Sequence, residues 1–200
     1  MSPTRERLLD EAERLFARSS IAGVTTRQIV EAAQQRNTSA VTYHFGSREG
    51  LLLELLSRRG GPVDARRGAL RAELDEAPSV PRLVACLAEP YCDLLHSEEG
   101  RSYLRIVAQL RGRFAAWRVE SDSATSLHLS SILDEIEQRP DLSSPLRRER
   151  VVALILVLTA TPAERARRID EGTVPELGHE AFVGNLVDMC SAVVLAPHTD

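Results

Sequence analysis

The chain has 200 residues, with 25 arginines and no lysine against 29 acidic groups, for a formal net charge of −4. A hydrophobic fraction of 43% is ample for a buried core, yet the longest apolar run, residues 151–158, falls far short of the roughly 20 residues a membrane-crossing helix needs. The first residues open an amphipathic pattern rather than a secretory signal, so the composition predicts a cytoplasmic protein without membrane association.

Leu8, Leu9, Ala12, Leu15 and Phe16 recur at helical spacing and predict an amphipathic helix over about 3–19. Thr25 is placed to cap the next helix, with Gln28 three residues on as in a capping box. That helix runs to about residue 33 and buries Ile29, Val30 and Ala33. A turn over 35–38 follows, and Asn37 or Thr38 caps a two-turn helix ending near Phe45, where Gly46 accepts the left-handed conformation. Ser47 caps a fourth helix striped by Leu51, Leu52, Leu55 and Leu56. Gly60, Gly61 and Pro62 interrupt it. Proline lacks the amide hydrogen a helix needs, so a kink or break is expected there before the helix resumes to about residue 74.

Further helices are expected over roughly 79–97, 101–117, 122–138, 145–161 and 176–196. Their punctuation is Pro78, Pro81, Gly100, Pro140, Pro145, Pro162 and Gly172, and Pro90 should bend the first of them. No alternating strand pattern occurs. The expected fold is all-α: an N-terminal three-helix domain at residues 1–52, joined by a long helix to a larger helical domain at 53–200.

Residues 25–51 carry the clearest functional signal. Two short helices joined by a turn are the makings of a helix-turn-helix, in which one helix braces across phosphates while the other enters a major groove about 12 Å wide. Val41 and Phe45, four apart, face inward, leaving Thr38, Ser39, Thr42 and Tyr43 outward. Thr25 and Thr26 stand at a helix N-terminus suited to a phosphate oxygen, and Arg27, Arg36, Tyr43, His44 and Arg48 can bracket the same backbone. Residues 1–60 hold nine arginines against seven acidic residues, while the rest hold sixteen against twenty-two, so the head is basic and the body acidic. The alternative is a helical hairpin whose polar face is merely solvated.

The first 52 or so residues resemble the DNA-binding head of the TetR family of transcriptional regulators. The resemblance rests on Leu8-Leu9, Ala12, Leu15-Phe16, Thr25-Thr26, Ile29, Ala33, Tyr43-His44-Phe45, Ser47-Arg48-Glu49 and Leu51. It implies a homodimeric, usually repressing regulator that binds a near-palindromic operator in double-stranded DNA and responds to a small molecule. Carried over residue by residue, Thr26, Tyr43, His44 and Arg48 would touch phosphate, while Arg36, Thr38, Ser39 and Thr42 would reach base edges. The chain departs from the family pattern at Thr42, where tyrosine is usual, at Ser20, where glycine is usual, and at Ala33-Gln34, where alanine-glycine is usual. Its turn is also about one residue longer.

The resemblance further implies an effector cavity in the larger domain and a dimer interface from the last two long helices. Residues 151–161 carry no charge, and the final helix sets Phe182, Leu186, Met189 and Val193 at spacings of four, three and four. The interface candidates are Val151, Ile155, Leu158, Phe182, Leu186, Met189 and Val193; the alternative is that the two faces pack together within one protomer. The cavity candidates are Tyr91, Tyr103, Val107, Leu110, Phe114, Trp117, His128 and Ile132. His128 reads equally as a core histidine, and Trp117 as packing. Aromatics make up only 4% of the chain, which favours an aliphatic cavity and a small apolar effector. Arg111, Arg113 and Arg118 offer an anion site or a solvated helix face.

Cys86, Cys92 and Cys190 are odd in number and lack metal-ligand spacing, so neither a disulfide framework nor a zinc site is expected. The five histidines show no paired spacing, and neither a nucleophile elbow nor a phosphate-cradling glycine loop is present. The sequence reading is therefore not an enzyme, with no cofactor and no metal. Its rival is a ligand-binding or protein-interaction module whose head does not read DNA.

Overall fold

The computed structural model describes residues 2–110 and 123–198. Its helices are α1 (Pro3–Arg18), α2 (Thr26–Ala32), α3 (Ala40–Phe45), α4 (Arg48–Ala72), α5 (Val80–Cys92), α6 (Glu98–Leu110), α7 (Ser123–Glu137), α8 (Ser144–Asp170) and α9 (His179–Leu195). A 3-10 turn, Asp93–His96, continues α5. Among the described residues there is no strand, and no helix is long and apolar enough to cross a membrane. The all-α expectation holds.

The head forms around the side of α1 that the periodicity picked out, with Leu8, Leu9, Ala12 and Phe16 wholly buried against Ile29, Val41 and Leu51. In the body α4 packs on α7, α6 on α8, and α9 on both α5 and α8. One continuous apolar cluster runs through head and body, and α4 crosses the expected boundary at residue 52 without interruption. All three cysteines are free and buried, and burial pushes the Cys92 thiol up to about 12 and Cys190 to about 11.

Two helices run past prolines, Pro62 where a kink or break was expected and Pro162 where the helix was expected to end. In α4, Pro62 lies on the exposed side, so the carbonyl orphaned one turn earlier can be hydrated. The inner side is held by buried Gly60, Val63, Asp64 and Arg67. Gly60 and Gly68 are close-contact positions rather than breakers, while Gly61 faces open space. A Cβ on Gly60 would stand 2.8 Å from the Tyr103 hydroxyl, and one on Gly68 2.6 Å from the His128 ring. In α8 the buried face continues past Pro162 through Ala163 and Ala166. The helix stops only at Gly172 (φ 83°), where the amides of Gly172 and Thr173 donate to Ile169 (2.9 Å) and Arg168 (2.8 Å) in a Schellman motif.

Two polar devices join head to body. Buried Glu13 on α1 accepts from Arg58 at 2.5 Å and from Arg59 at 3.0 Å, both on α4. Gln109 on α6 accepts from the Ile21 amide (2.7 Å) and donates to the Phe16 carbonyl (2.9 Å).

Candidate nucleic-acid interface and effector cavity

The local chemistry that shapes α2 and α3 can be followed atom by atom. Thr25 and Gln28 form the full capping box: the Thr25 amide donates to Gln28 Oε1 (2.8 Å), and the Gln28 amide to Thr25 Oγ1 (3.3 Å). At the other end of α2 the amides of Gln34 and Gln35 donate to Glu31 and Val30, both at 3.0 Å, again a Schellman motif. Its left-handed position is Gln34 (φ 55°), so a glutamine occupies the conformation glycine accepts at least cost. The Asn37 side chain then accepts from the Ser39 amide at 2.9 Å and sets the entry of α3. Gly46 closes α3 with a positive φ, and Ser47 caps α4 through the Gly50 amide at 2.9 Å. Gly50 has no room for a side chain, since its Cβ would meet the Phe45 carbonyl oxygen at 2.1 Å.

This framework buries Ala40 and Val41 and leaves Thr38, Ser39, Thr42 and Tyr43 exposed on one short surface. Tyr43 is 81% exposed, touched edge-on by the His44 ring at 4.9 Å. Thr25, Arg27 and Arg36 are exposed as well, Thr26 and His44 half-buried. Arg27 pairs with Glu31 at 2.7 Å. Arg48 is turned inward: it donates to the carbonyls of Ile21 and Val24 (2.9 Å to the latter) and lies 5.2 Å over the Phe16 ring. It braces the α1–α2 connection, a role that the spacing did not reveal.

Within the body a cavity of about 50 Å³ lies between α4, α5, α6, α7 and α8. Of the eight residues picked for it, Tyr91, Tyr103 and Val107 line it. Leu110 packs half-buried against the core, Ile132 is wholly inside it, and His128 is exposed, its ring over Gly68. Phe114 and Trp117 lie outside the described residues, as do Arg111, Arg113 and Arg118. The reading missed Leu56, Gly60, Arg67, Leu129 and Thr159, which also line the cavity. Leu56, Gly60, Val63 and Arg67 recur at spacings of four, three and four. That pattern puts Arg67 on the inner face of α4 and could have found it.

The dimer-interface candidates divide. Ile155 and Leu158 face this cavity, and Val151, Phe182 and Leu186 are buried within the protomer. Met189 is exposed and Val193 half-exposed, and the outer sides of α8 and α9 carry Val152, Leu156 and Leu195 exposed as well. Counting one helix as buried all round merged its inner and outer faces.

The structure also gathers Asp93, His96 and His179, with one ligand-type atom from each within 4.8 Å of the others. Asp93 and His96 stack three apart on the 3-10 turn, and His179 Nε2 lies 3.4 Å from Asp93. A sequence separation of more than eighty residues hid this group. Asp93 and His96 are exposed.

A basic-headed, all-α chain with a helix-turn-helix and a larger helical body that holds a small cavity has the architecture of a helix-turn-helix transcriptional regulator. Residues 8–55 match the family model for bacterial regulatory proteins of the tetR family. Similar solved structures include AmtR of Mycobacterium smegmatis, 19% identical with TM-score 0.58, covering 96% of this chain and 87% of that one. A TetR-like transcriptional regulator from Rhodococcus sp. RHA1 is 13% identical with TM-score 0.57, covering 96% and 93%. The fatty acid degradation regulator FadR from Bacillus halodurans is 15% identical with TM-score 0.52, covering 98% and 96%. No curated relative matches the chain. The head is a tetR-family DNA-binding domain, and the whole chain has the fold of TetR-family transcriptional regulators.

Proposed function

We propose that the protein is a homodimeric transcriptional repressor that acts in the cytoplasm, binds a near-palindromic operator through the major groove, and is released by a small molecule with an apolar body. The observation that carries this reading is the exposed surface of Thr38, Ser39, Thr42 and Tyr43, on and just before a helix that packs on α2 and α4 through Ala40 and Val41. A surface kept for water would be richer in charge, whereas hydroxyls, a methyl and one aromatic ring suit base edges and phosphate. Thr25, Thr26 and Arg36 flank that surface. Arg48 serves the head indirectly by holding the α1–α2 connection.

Dimerisation through the outer sides of α8 and α9 would cover Val152, Leu156, Met189 and Leu195, large apolar side chains that one protomer leaves in water. An effector would act by favouring one spacing of the two heads over another. Both helices that reach from cavity to head are suited to transmit it: α4 carries Gly60 and Arg67 on the cavity and Arg58 and Arg59 on Glu13, and α6 carries Tyr103 and Val107 on the cavity and Gln109 on α1.

Selection of genomic DNA fragments by the purified protein at about 150 mM salt tests the proposal. Enrichment of one near-palindrome that Thr42→Ala or Tyr43→Ala abolishes is the expected result. Sequence-blind retention, or none with and without added metabolites, refutes it.

A further inference from the structure

We infer that the cavity of the body takes an organic carboxylate, its charged end on Arg67 and its apolar body along the aliphatic wall. The inference rests on the effector reading of this cavity but concerns the cavity's own chemistry. Arg67 is only 7% exposed, yet it makes no hydrogen bond or ion pair with any described residue, and its Nε is fully buried without a partner. The Tyr91 ring lies 5.8 Å from the guanidinium carbon. Buried charges are otherwise paired, because taking one out of water uncompensated is among the costliest features a fold can carry.

Asp64 acts on the charge of Arg67 from a distance but forms no ion pair with it. Asp64, three residues earlier on α4, accepts from the amides of His128 (3.0 Å) and Leu129 (2.8 Å). Those amides stand at a fresh helix start, since α7 is broken at Ser126 (φ −141°, ψ 15°). The carboxylate of Asp64 caps that start from a neighbouring helix, and both of its oxygens are engaged there.

Among the described residues, the cavity lining holds further hydroxyl donors and no acidic side chain. The Tyr91 hydroxyl is buried with no partner, and Tyr103, brought in by the absence of a side chain at Gly60, lines the same space. Burial raises both phenols, Tyr103 to about 12, so each keeps its proton to donate. The Thr159 hydroxyl is already given to the Ile155 carbonyl at 2.7 Å. A guanidinium fork with two phenol donors suits a planar carboxylate, which can take two parallel bonds from arginine. One arginine balances one negative charge, and the rest of the wall is Leu56, Val107, Leu129, Ile155 and Leu158. The ligand is thus a monocarboxylate with an aliphatic body, and at about 50 Å³ the cavity fits short ones first.

Calorimetric titration of the full-length protein with acetate, butyrate, hexanoate and octanoate, each against the alcohol of equal chain length, tests this. The expected result is a carboxylate that binds about tenfold to a hundredfold tighter than its alcohol, the range of a charge-assisted hydrogen bond. Arg67→Met should erase that preference while melting no lower than the unliganded wild type, because it removes an unpaired buried charge. Tyr91→Phe, which conserves volume, should weaken the carboxylate and leave the alcohol unchanged. Equal binding of acid and alcohol, or an Arg67→Met variant that keeps the preference or melts well below wild type, would overturn the inference. Operator affinity is measured separately: a carboxylate that binds through Arg67 without altering it supports the anion site and refutes the effector reading.

Discussion

Replacing Glu13 by glutamine tests how the head is held to α4. The Glu13 side chain is 4% exposed and accepts from both Arg58 and Arg59. Breaking a wholly buried ion pair from one side costs about 3–5 kcal/mol, most of it the charge left behind. Here the Arg58 and Arg59 side chains remain 21% and 30% exposed, and Arg58 keeps Asp10 at 2.7 Å, so water and a second acid recover part of the loss. A cost of about 2–3 kcal/mol follows, well above the ~0–1 kcal/mol of a surface pair. In a chain of this length it lowers the melting temperature by about 4–12 °C. Urea unfolding of Glu13→Gln measures it, and a triple variant with methionine at positions 13, 58 and 59 completes the comparison. The triple variant should recover most of the loss, since the one acid left without its partner, Asp10, is exposed to water. A loss under 1 kcal/mol for Glu13→Gln would refute the reasoning and rank this cluster with ordinary surface pairs.

Gln34→Gly removes a side chain from a left-handed position (φ 55°) and should stabilise the protein by up to about 1 kcal/mol in urea unfolding, whereas β-branched Gln34→Val should destabilise it. A glycine variant less stable than wild type would contradict the conformational argument. Gln109→Ala removes two hydrogen bonds between α6 and the head, a loss of about 1–3 kcal/mol, and should blunt the effector response more than the operator affinity. Equal loss of both would show that Gln109 only stabilises. Alkaline stability follows from the buried thiols: the folded pKa values of Cys92 and Cys190, about 12 and 11, lie above the usual 9, so both stay neutral in the fold after the unfolded chain has ionised. Their stabilising contribution is complete below pH 9 and is lost as pH rises through 11 to 12, by about 1.4 kcal/mol per pH unit for each thiol. Serine at both positions should flatten that part of the unfolding-versus-pH curve, and an unchanged slope would contradict the assignment.

Much of the head was legible because its signals are local. The capping box of Thr25 and Gln28, the glycine closing α3 and the Ser47 cap depend on residues within four of one another, and each formed as its chemistry requires. Prolines misled because their cost of about 3 kcal/mol is set locally, while the packing that outweighs it comes from distant helices. Gly60 read as a breaker, yet it exists to admit Tyr103, forty-three residues on. The same limit hid Arg48, whose partners are carbonyls in a loop, and the grouping of Asp93, His96 and His179. In the body the apolar periodicity located the helices but could not divide inner from outer faces where both are apolar. Ile155 and Leu158 therefore went to an interface when they line the cavity. Arg67 escaped for a different reason: a charged residue between glycines and other arginines looks solvated until its burial is measured.

The most direct test of the central claim, that the surface of α3 reads DNA, is the affinity of the purified protein for its selected duplex and for a scrambled one, from 50 to 200 mM salt. The account predicts a preference of at least a thousandfold for the selected duplex. It also predicts a log–log salt slope near −5 if a dimer neutralises about six phosphates. Thr42→Ala should lower the preference and leave the slope in place. Equal affinity for the two duplexes, or binding indifferent to salt, would contradict it.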